Sequence, residues 1–450
     1  MTDGHEPAQG HTSVGSLFLR PAYRGAGRGP GAQRTSALRA PVTAGTVLLH
    51  GDLHNHSDLS DGFGAAQDAF VSMRAAGLDA AALTDHAGIT DRDGVLDRAL
   101  QETLRRVSAD AGMPSAMMSD SGYQRAGELA DLADQADRFA AIRGFEWTTP
   151  HIGHVNVWFS PVWTPVTDVE PATGMSVLRD WITDVAGTVA GADVLAGWNH
   201  PGREPLRYEG FRYDARLADR LVSLEMFNRD TDYLFEGVSR GARSPLLDCL
   251  DAGWWPGLLG VSDEHTPRWG FEPERGRAGL WVRQWSRAGI REALVARRFF
   301  ATREAGLRLD MVAAWARAGA SAPDALDVAD RPEAVRMGGR LSRAVAADIP
   351  GVDTAAVDLA LDIDGGPTWD RREVAVAALT TGASVPEVVA EGAARSGVPT
   401  TLRVPVPLDG SVPWLVVRVA DPAVPNDRPG PPGHPANRRA LAYASPIGVG

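Results

Sequence analysis

The chain has 450 residues, 44% apolar and 23% charged, with a formal net charge of −12. That length calls for two or three globular units, and the acidic balance argues against a general nucleic-acid or membrane-surface binder. No lysine occurs, so Schiff-base and P-loop lysine chemistry is excluded, and the single cysteine, Cys249, excludes an internal disulfide, thiolate zinc fingers and iron–sulfur clusters.

In chain order, residues 1–44 are rich in Gly, Ala, Arg and Ser without periodicity and are expected to form a flexible leader. From there to about residue 310, short apolar strands alternate with helical stretches. The predicted strands are TVLLH (46–50), DAAALT (79–84), AAIRGFEW (140–147), HVNVWF (154–159), DVLAGWN (193–199), LVSLEMFN (221–228), GLLGVS (257–262) and RRFFAT (297–302). Predicted helices lie at 65–77, 128–140 and 176–187. This alternation argues for parallel βα units, and about 265 residues of it suit a (β/α) barrel. An open doubly wound sheet is the alternative, weakened because no glycine-rich phosphate fingerprint follows the first strand. After residue 311 come a helix-prone run, MVAAWARAG, and then β-like segments (VDLALDID, TTLRVPVPL, PWLVVRVAD, RRALAYASPIGV), which predict a small C-terminal β-rich domain over 311–450. The proline-rich stretch 422–438 is expected as a surface loop. No apolar run approaches the ~20 residues of a membrane span. No secretory signal is read at the N-terminus, and a cytoplasmic location is expected.

Six of the eleven histidines fall at strand ends beside acids or a second histidine. GDLHNHSDLSDG holds His54, His56 and Asp61. ALTDHAG brings Asp85 and His86. GFEWTTPHIGHVNV brings Glu146 and His154, GWNHPGRE brings His200, and GVSDEHTPRWG brings Asp263 and His265. Glu225 interrupts the apolar LVSLEMFN. In a parallel barrel all strand C-termini converge on one face, so these groups would share a pocket. Residues at i and i+2 on an extended segment point the same way, as His54 with His56 and Asp263 with His265. Imidazole and carboxylate without sulfur suit Zn²⁺, Mn²⁺ or Fe²⁺, and the number of groups suits two or three divalent ions.

Each motif alone also fits a plain structural role: half-buried histidines bonded to carbonyls, Asp85 capping a helix, Glu225 paired with an arginine. It is the recurrence in one context that favours metal. Asp52 and Asp85 are read as partners orienting histidines. Arg203 and Arg268 follow ligand motifs and are placed at a pocket rim, where a guanidinium would bind phosphate or carboxylate, or else pair with Glu204 or Glu272. Trp147, Trp198 and Trp269 flank the ligand motifs. The stretch 91–138 is a candidate lid. His50 and His151 have no assigned role, His5, His11 and His434 are expected in solvent, and Cys249 in a helix core.

On these motifs the chain resembles the PHP (polymerase and histidinol phosphatase) family over residues 46–305. GDLHNHSDLSDG, ALTDHAG, WNHP and GVSDEH resemble its four motifs in order. The resemblance implies a distorted (β/α)7 TIM-like barrel, here 45–310, with a trinuclear metal site. It also implies the ligands His54, His56, Asp61, His86, Glu146, His154, His200, Glu225, Asp263 and His265, with Glu146 bridging two ions. The implied activity is a metal-dependent phosphoesterase. From the residues themselves, an acidic chain with a positively charged site suits a small anionic substrate, with Asp263 or another acid as proton acceptor and Arg203 on the anion. No polymerase-like region is present. Hydrolysis of carboxyl esters or carbamates on the same scaffold, and a non-catalytic metal-binding protein, are the competing readings.

Overall fold

The computed structural model describes residues 36–39, 45–88, 117–149, 151–166, 174–270 and 275–450. The first half contains strands β1 (Val47–Asp52), β2 (Ala80–Leu83), β3 (Ala140–Thr149), β4 (Gly153–Trp158), β5 (Leu195–Trp198), β6 (Leu221–Asn228), β7 (Thr231–Asp232), β8 (Gly257–Val261), β9 (Arg277–Val282) and β10 (Phe299–Thr302). Helices α1 (Ala66–Ala75), α2 (Asp120–Ala133), α3 (Ser176–Ala186), α4 (Pro245–Asp251) and α5 (Arg287–Val295) lie between them. Cys249 is buried on α4, in the core, as its apolar neighbours imply.

The hydrogen-bonded order is β10–β9–β1–β2–β3–β4–β5–β6, with β7 and β8 both paired to β6. Ladders β1–β2–β3 and β5–β6–β8 are parallel. The all-parallel expectation fails at β3–β4–β5 and at β9, which are antiparallel to their neighbours. The cause at β3–β4 is the link: residues 150–152 leave no room for the crossover of a dozen or more residues that parallel pairing needs. Strand β8, paired to β6 at one end of the order, also lies beside β10 and β9 at the other, without a ladder. Gly260 permits that approach, because a Cβ there would stand 2.4 Å from the Arg277 carbonyl oxygen. The expected closed barrel is thus observed as a large mixed α/β sheet whose ends lie side by side, with no closed ladder among the described residues.

Strand β9 has no counterpart in the sequence reading. Helix α2 starts eight residues before its predicted position: Ser119 accepts from the Gly122 N–H at 3.1 Å and caps it there. Of the candidate lid, residues 91–116 lie outside the described residues, and the remainder holds α2, packed on β3.

The second half is β-rich: β11 (Arg308–Arg317), β12 (Val335–Arg336), β13 (Arg340–Leu341), β14 (Val352–Asp364), β15 (Glu373–Thr380), β16 (Glu387–Arg395), β17 (Thr400–Pro405), β18 (Trp414–Pro425), β19 (Arg438–Ala444) and β20 (Ile447–Val449). Strands β12–β11–β14–β17 form one sheet, and the others pack against it over a shared core. MVAAWARAG, expected as helix, is strand β11. It pairs with β14 along its whole length and is buried on both faces, so tertiary pairing overrides local helix preference. Strand β19 pairs with β10, so the large sheet continues across both halves. Of the expected leader, Leu38 is buried against Val312 and Ala360, and residues 1–35 lie outside the described residues.

Candidate metal centre

All ten ligands implied by the sequence come together in one connected, mostly buried set. His54 and His56 leave the end of β1 with the backbone fixed by neighbours. Asp52 accepts from the His54 N–H at 3.4 Å and from the Ser262 N–H at 3.1 Å, as well as from the Ser262 hydroxyl. Asp85 accepts from the Ser57 N–H at 2.7 Å and from the hydroxyls of Ser57 and Ser60 at 2.9 and 2.7 Å. Both acids therefore fix the loop that carries the histidines and do not touch the imidazole rings, which corrects their expected role.

His54 places Nδ1 2.8 Å from Glu225 Oε1, and its Nε2 is 3.3 Å from Glu146 Oε1 and 3.4 Å from Asp263 Oδ1. His56 Nε2 is 3.1 Å from Asp263 Oδ1 and 3.1 Å from His54 Nε2. Glu146, fully buried on β3, lies at the middle. Its Oε1 is 3.2 Å from both His154 Nδ1 and His200 Nε2 and accepts from Asn199 Nδ2 at 2.7 Å; its Oε2 is 2.9 Å from His86 Nδ1. His86 Nε2 and His265 Nε2 each stand 3.7 Å from Asp61 Oδ1. Asp61 is the most open member, with 37% of its side chain exposed, against 21% for His265, and marks the mouth.

Four groups of donor atoms lie within 4.8 Å of one another: His56, Asp61, His86 and His265; His54, His56 and Asp263; His86, Glu146 and His154; and His154, His200 and Glu204. Glu225 belongs to none of them. Its oxygens receive His54 Nδ1, the His200 N–H at 2.7 Å and Asn228 Nδ2 at 2.9 Å. Two of the key backbones are left-handed without being glycine, His200 (φ 27°) and Asp263 (φ 49°). Such conformations cost about 1–3 kcal/mol each and gather at functional sites.

Electrostatics follow from the crowding. Burial disfavours protonated His54, but the carboxylates of Glu146, Asp263 and Glu225 outweigh it and raise its pKa. Burial and then the neighbouring rings of His265 and His86 push His56 well down. Burial alone would raise Glu146 and Asp263; the surrounding imidazoles, His54 foremost, hold both well below the usual carboxylate range. Several buried polar atoms have no hydrogen-bond partner, including His56 Nδ1, His200 Nδ1 and Glu204 Oε2. Five acids facing six imidazoles, with such orphaned atoms, form a costly arrangement in the absence of cations, and the donor set fits divalent metal.

Arg203, on the loop after β5, has Nη1 3.7 Å from Asp263 Oδ2. Arg229, which the sequence reading missed, has Nε 3.4 Å from the same oxygen and Nη2 3.1 Å from His265 Nδ1. Its only sequence signal is its place just after β6, beyond Asn228. Arg268 is exposed on the surface. The three tryptophans are fully buried: Trp147 and Trp198 pack in the core, and Trp269 donates its indole N–H to the His56 carbonyl at 2.9 Å. His434, expected in solvent, is half-buried, with Nε2 3.0 Å from the Pro386 carbonyl oxygen.

No family model and no curated protein matches the chain. Among solved structures, a two-domain protein from Bacteroides vulgatus ATCC 8482, containing a "predicted PHP-like metal-dependent phosphoesterase", aligns with 92% of this chain and 99% of its own. Identity is 17% and the TM-score 0.42. An amidohydrolase from Chromobacterium violaceum, with bound sulfate, aligns with 48% of this chain and 88% of its own, at 15% identity and a TM-score of 0.24.

Proposed function

We propose that the chain is a metal-dependent hydrolase acting on phosphate esters, and that residues 45–310 form a distorted barrel carrying its site. The observation that supports it most is the convergence just described: donors from segments more than two hundred positions apart stand 2.8–3.7 Å from one another in a buried cluster with one open side. His54, His56, Asp61, His86, Glu146, His154, His200, Asp263 and His265 would hold two or three ions of Mn²⁺, Zn²⁺ or Fe²⁺. When bound, such ions lower the pKa of water and offset charge on phosphoryl oxygens.

The chain's own residues do the rest. Glu225 fixes the His54 ring through Nδ1 and so directs Nε2 inward. Asp263 keeps one oxygen on His54 and His56 and turns the other to Arg203 and Arg229. With both oxygens engaged in this way, Asp263 is placed as a ligand and as a guide for these arginines. The two half-exposed guanidiniums, at 48% and 43%, lie beside the mouth, where bidentate contact orients an anionic ester. A cytoplasmic location belongs to the same reading, because one cysteine suits a reducing compartment.

The test is a metal analysis of the purified chain coupled to hydrolysis of p-nitrophenyl phosphate, bis-p-nitrophenyl phosphate and a naphthyl ester. The expected result is two to three bound transition-metal ions and turnover of the phosphate substrates, lost by several orders of magnitude in His54→Ala while the chain stays folded. Turnover of the naphthyl ester alone would move the assignment to carboxyl-ester hydrolysis. Metal without any turnover would make the chain a binding protein.

A further inference from the structure

Glu204 lies outside every ligand that the sequence motifs mark, yet it is placed like one. The residue is 7% exposed, and its Oε2 is buried without a hydrogen-bond partner. Its Oε1 stands 3.7 Å from His154 Nε2 and 3.7 Å from His200 Nδ1. Hydrogen bonds of this kind close at about 2.7–3.2 Å, so neither distance is one. Two donors on a shared tetrahedral ion, each about 2.1 Å from it, stand about 3.4 Å apart, which is close to what is seen. His200 Nδ1 is also buried without a hydrogen-bond partner.

The ring nitrogens decide between the two acids that flank these histidines. Glu146 Oε1 faces His154 Nδ1 and His200 Nε2, both at 3.2 Å. Glu204 faces the opposite nitrogen of each ring. A neutral imidazole has one N–H and one lone pair. If both rings donate their N–H to Glu146, both lone pairs turn towards Glu204. Glu146 Oε1 then holds the rings in place, as carboxylates behind metal-bound histidines commonly do, and Oε2, on the His86 side, is left as its ligand oxygen. The other charge beside Glu204 is Arg203, whose Nε is 3.9 Å from Oε1 and whose Nη1 is drawn towards Asp263.

We propose that His154 Nε2, His200 Nδ1 and Glu204 Oε1 form a His₂–carboxylate site for one divalent transition-metal ion, with Glu204 as a direct ligand. This rests on reading the cluster as a metal centre. Three protein donors leave a fourth position for water or substrate oxygen, beside Arg203. His154 also stands in the group with His86 and Glu146; taking it through Nε2 leaves that group to His86 and Glu146.

The experiment counts metal, independent of turnover. Full-length wild type and Glu204→Gln are stripped with chelator, titrated with Co²⁺ or Zn²⁺, passed over a desalting column and analysed by mass spectrometry for metal per chain. Glu204→Gln is expected to hold one equivalent fewer than wild type, with a matching loss in the visible Co²⁺ absorption. His200→Ala should remove the same equivalent. Equal metal content in wild type and Glu204→Gln, with dissociation constants within tenfold, overturns the proposal and leaves Glu204 an orienting group. A wild type that binds no metal overturns the broader reading instead. Circular dichroism of the metal-free proteins monitors folding. Should the Gln variant not fold, Glu204→Asp keeps the charge but withdraws the oxygen by one methylene, and its affinity should fall at least tenfold; unchanged affinity there refutes the ligand role.

Discussion

Glu225→Gln separates holding a histidine from binding a metal. The wild-type carboxylate receives three donors: His54 Nδ1 at 2.8 Å, the His200 backbone N–H at 2.7 Å and Asn228 Nδ2 at 2.9 Å. A glutamine amide keeps one acceptor oxygen and puts an NH₂ where the other was. With that oxygen kept on His54, the NH₂ faces two donors. Asn228 can turn its amide to offer oxygen, but the His200 N–H is fixed by the backbone. One charged hydrogen bond is lost and one donor–donor contact is gained, in a residue that is 1% exposed. A loss of this kind costs about 2 kcal/mol, or about a 30-fold weaker affinity at 1.4 kcal/mol per decade. Isothermal titration of the metal-free chain should show the same number of ions at saturation, with the tightest affinity reduced by about that factor, and kcat at saturating metal within tenfold of wild type. If an equivalent of metal disappears even at saturation, Glu225 is itself a ligand and the orienting argument is wrong. If affinity is unchanged, the His54–Glu225 contact does not act on the site.

Arg203→Ala and Arg229→Ala should each raise KM for a phosphomonoester by about 10–100-fold, on ~1.5–3 kcal/mol for a charged hydrogen bond, with metal content unchanged; a KM that stays within twofold in both variants would remove the arginines from substrate recognition. Asp85→Ala leaves the Ser57 N–H and the hydroxyls of Ser57 and Ser60 without their acceptor in a buried loop. It should destabilise the metal-free chain by about 3 kcal/mol in urea titration, and an effect below 1 kcal/mol would show that water replaces the carboxylate. Deleting residues 308–450 should yield insoluble protein, because it bares the β10 edge that pairs with β19 and uncovers Leu48, Trp281 and Phe300, which share a core with Leu441 and Ala442. A soluble, cooperatively folding fragment of 36–307 would show that the two halves are independent.

What could be read from the sequence follows from where information is local. His54, His56, Glu146, His200 and Asp263 are polar residues at the ends of short apolar runs, and such a residue is visible because it breaks the pattern around it. Strand β6 was legible to the residue, LVSLEMFN, since both of its ends are marked by a change from apolar to polar. Strand β9 was not: RAGLWV opens on Arg-Ala-Gly, and only its pairing with β1 and β10 makes it a strand. MVAAWARAG failed for the same reason in reverse, since its alanines favour helix until β14 claims one edge of the strand and β12 the other. Glu204 and Arg229 lie one step further out. Nothing in GREP or FNRD distinguishes them from surface charges, and their meaning comes from partners that the chain brings near from other strands: His154 from β4 for Glu204, Asp263 and His265 from beyond β8 for Arg229. The motif residues of the cluster are thus legible in the sequence, whereas the places of Glu204 and Arg229 are a property of the fold. Substitutions at Glu204 and Arg229 that keep every motif intact are therefore expected to change metal count or substrate, which metal analysis and KM measurements would check.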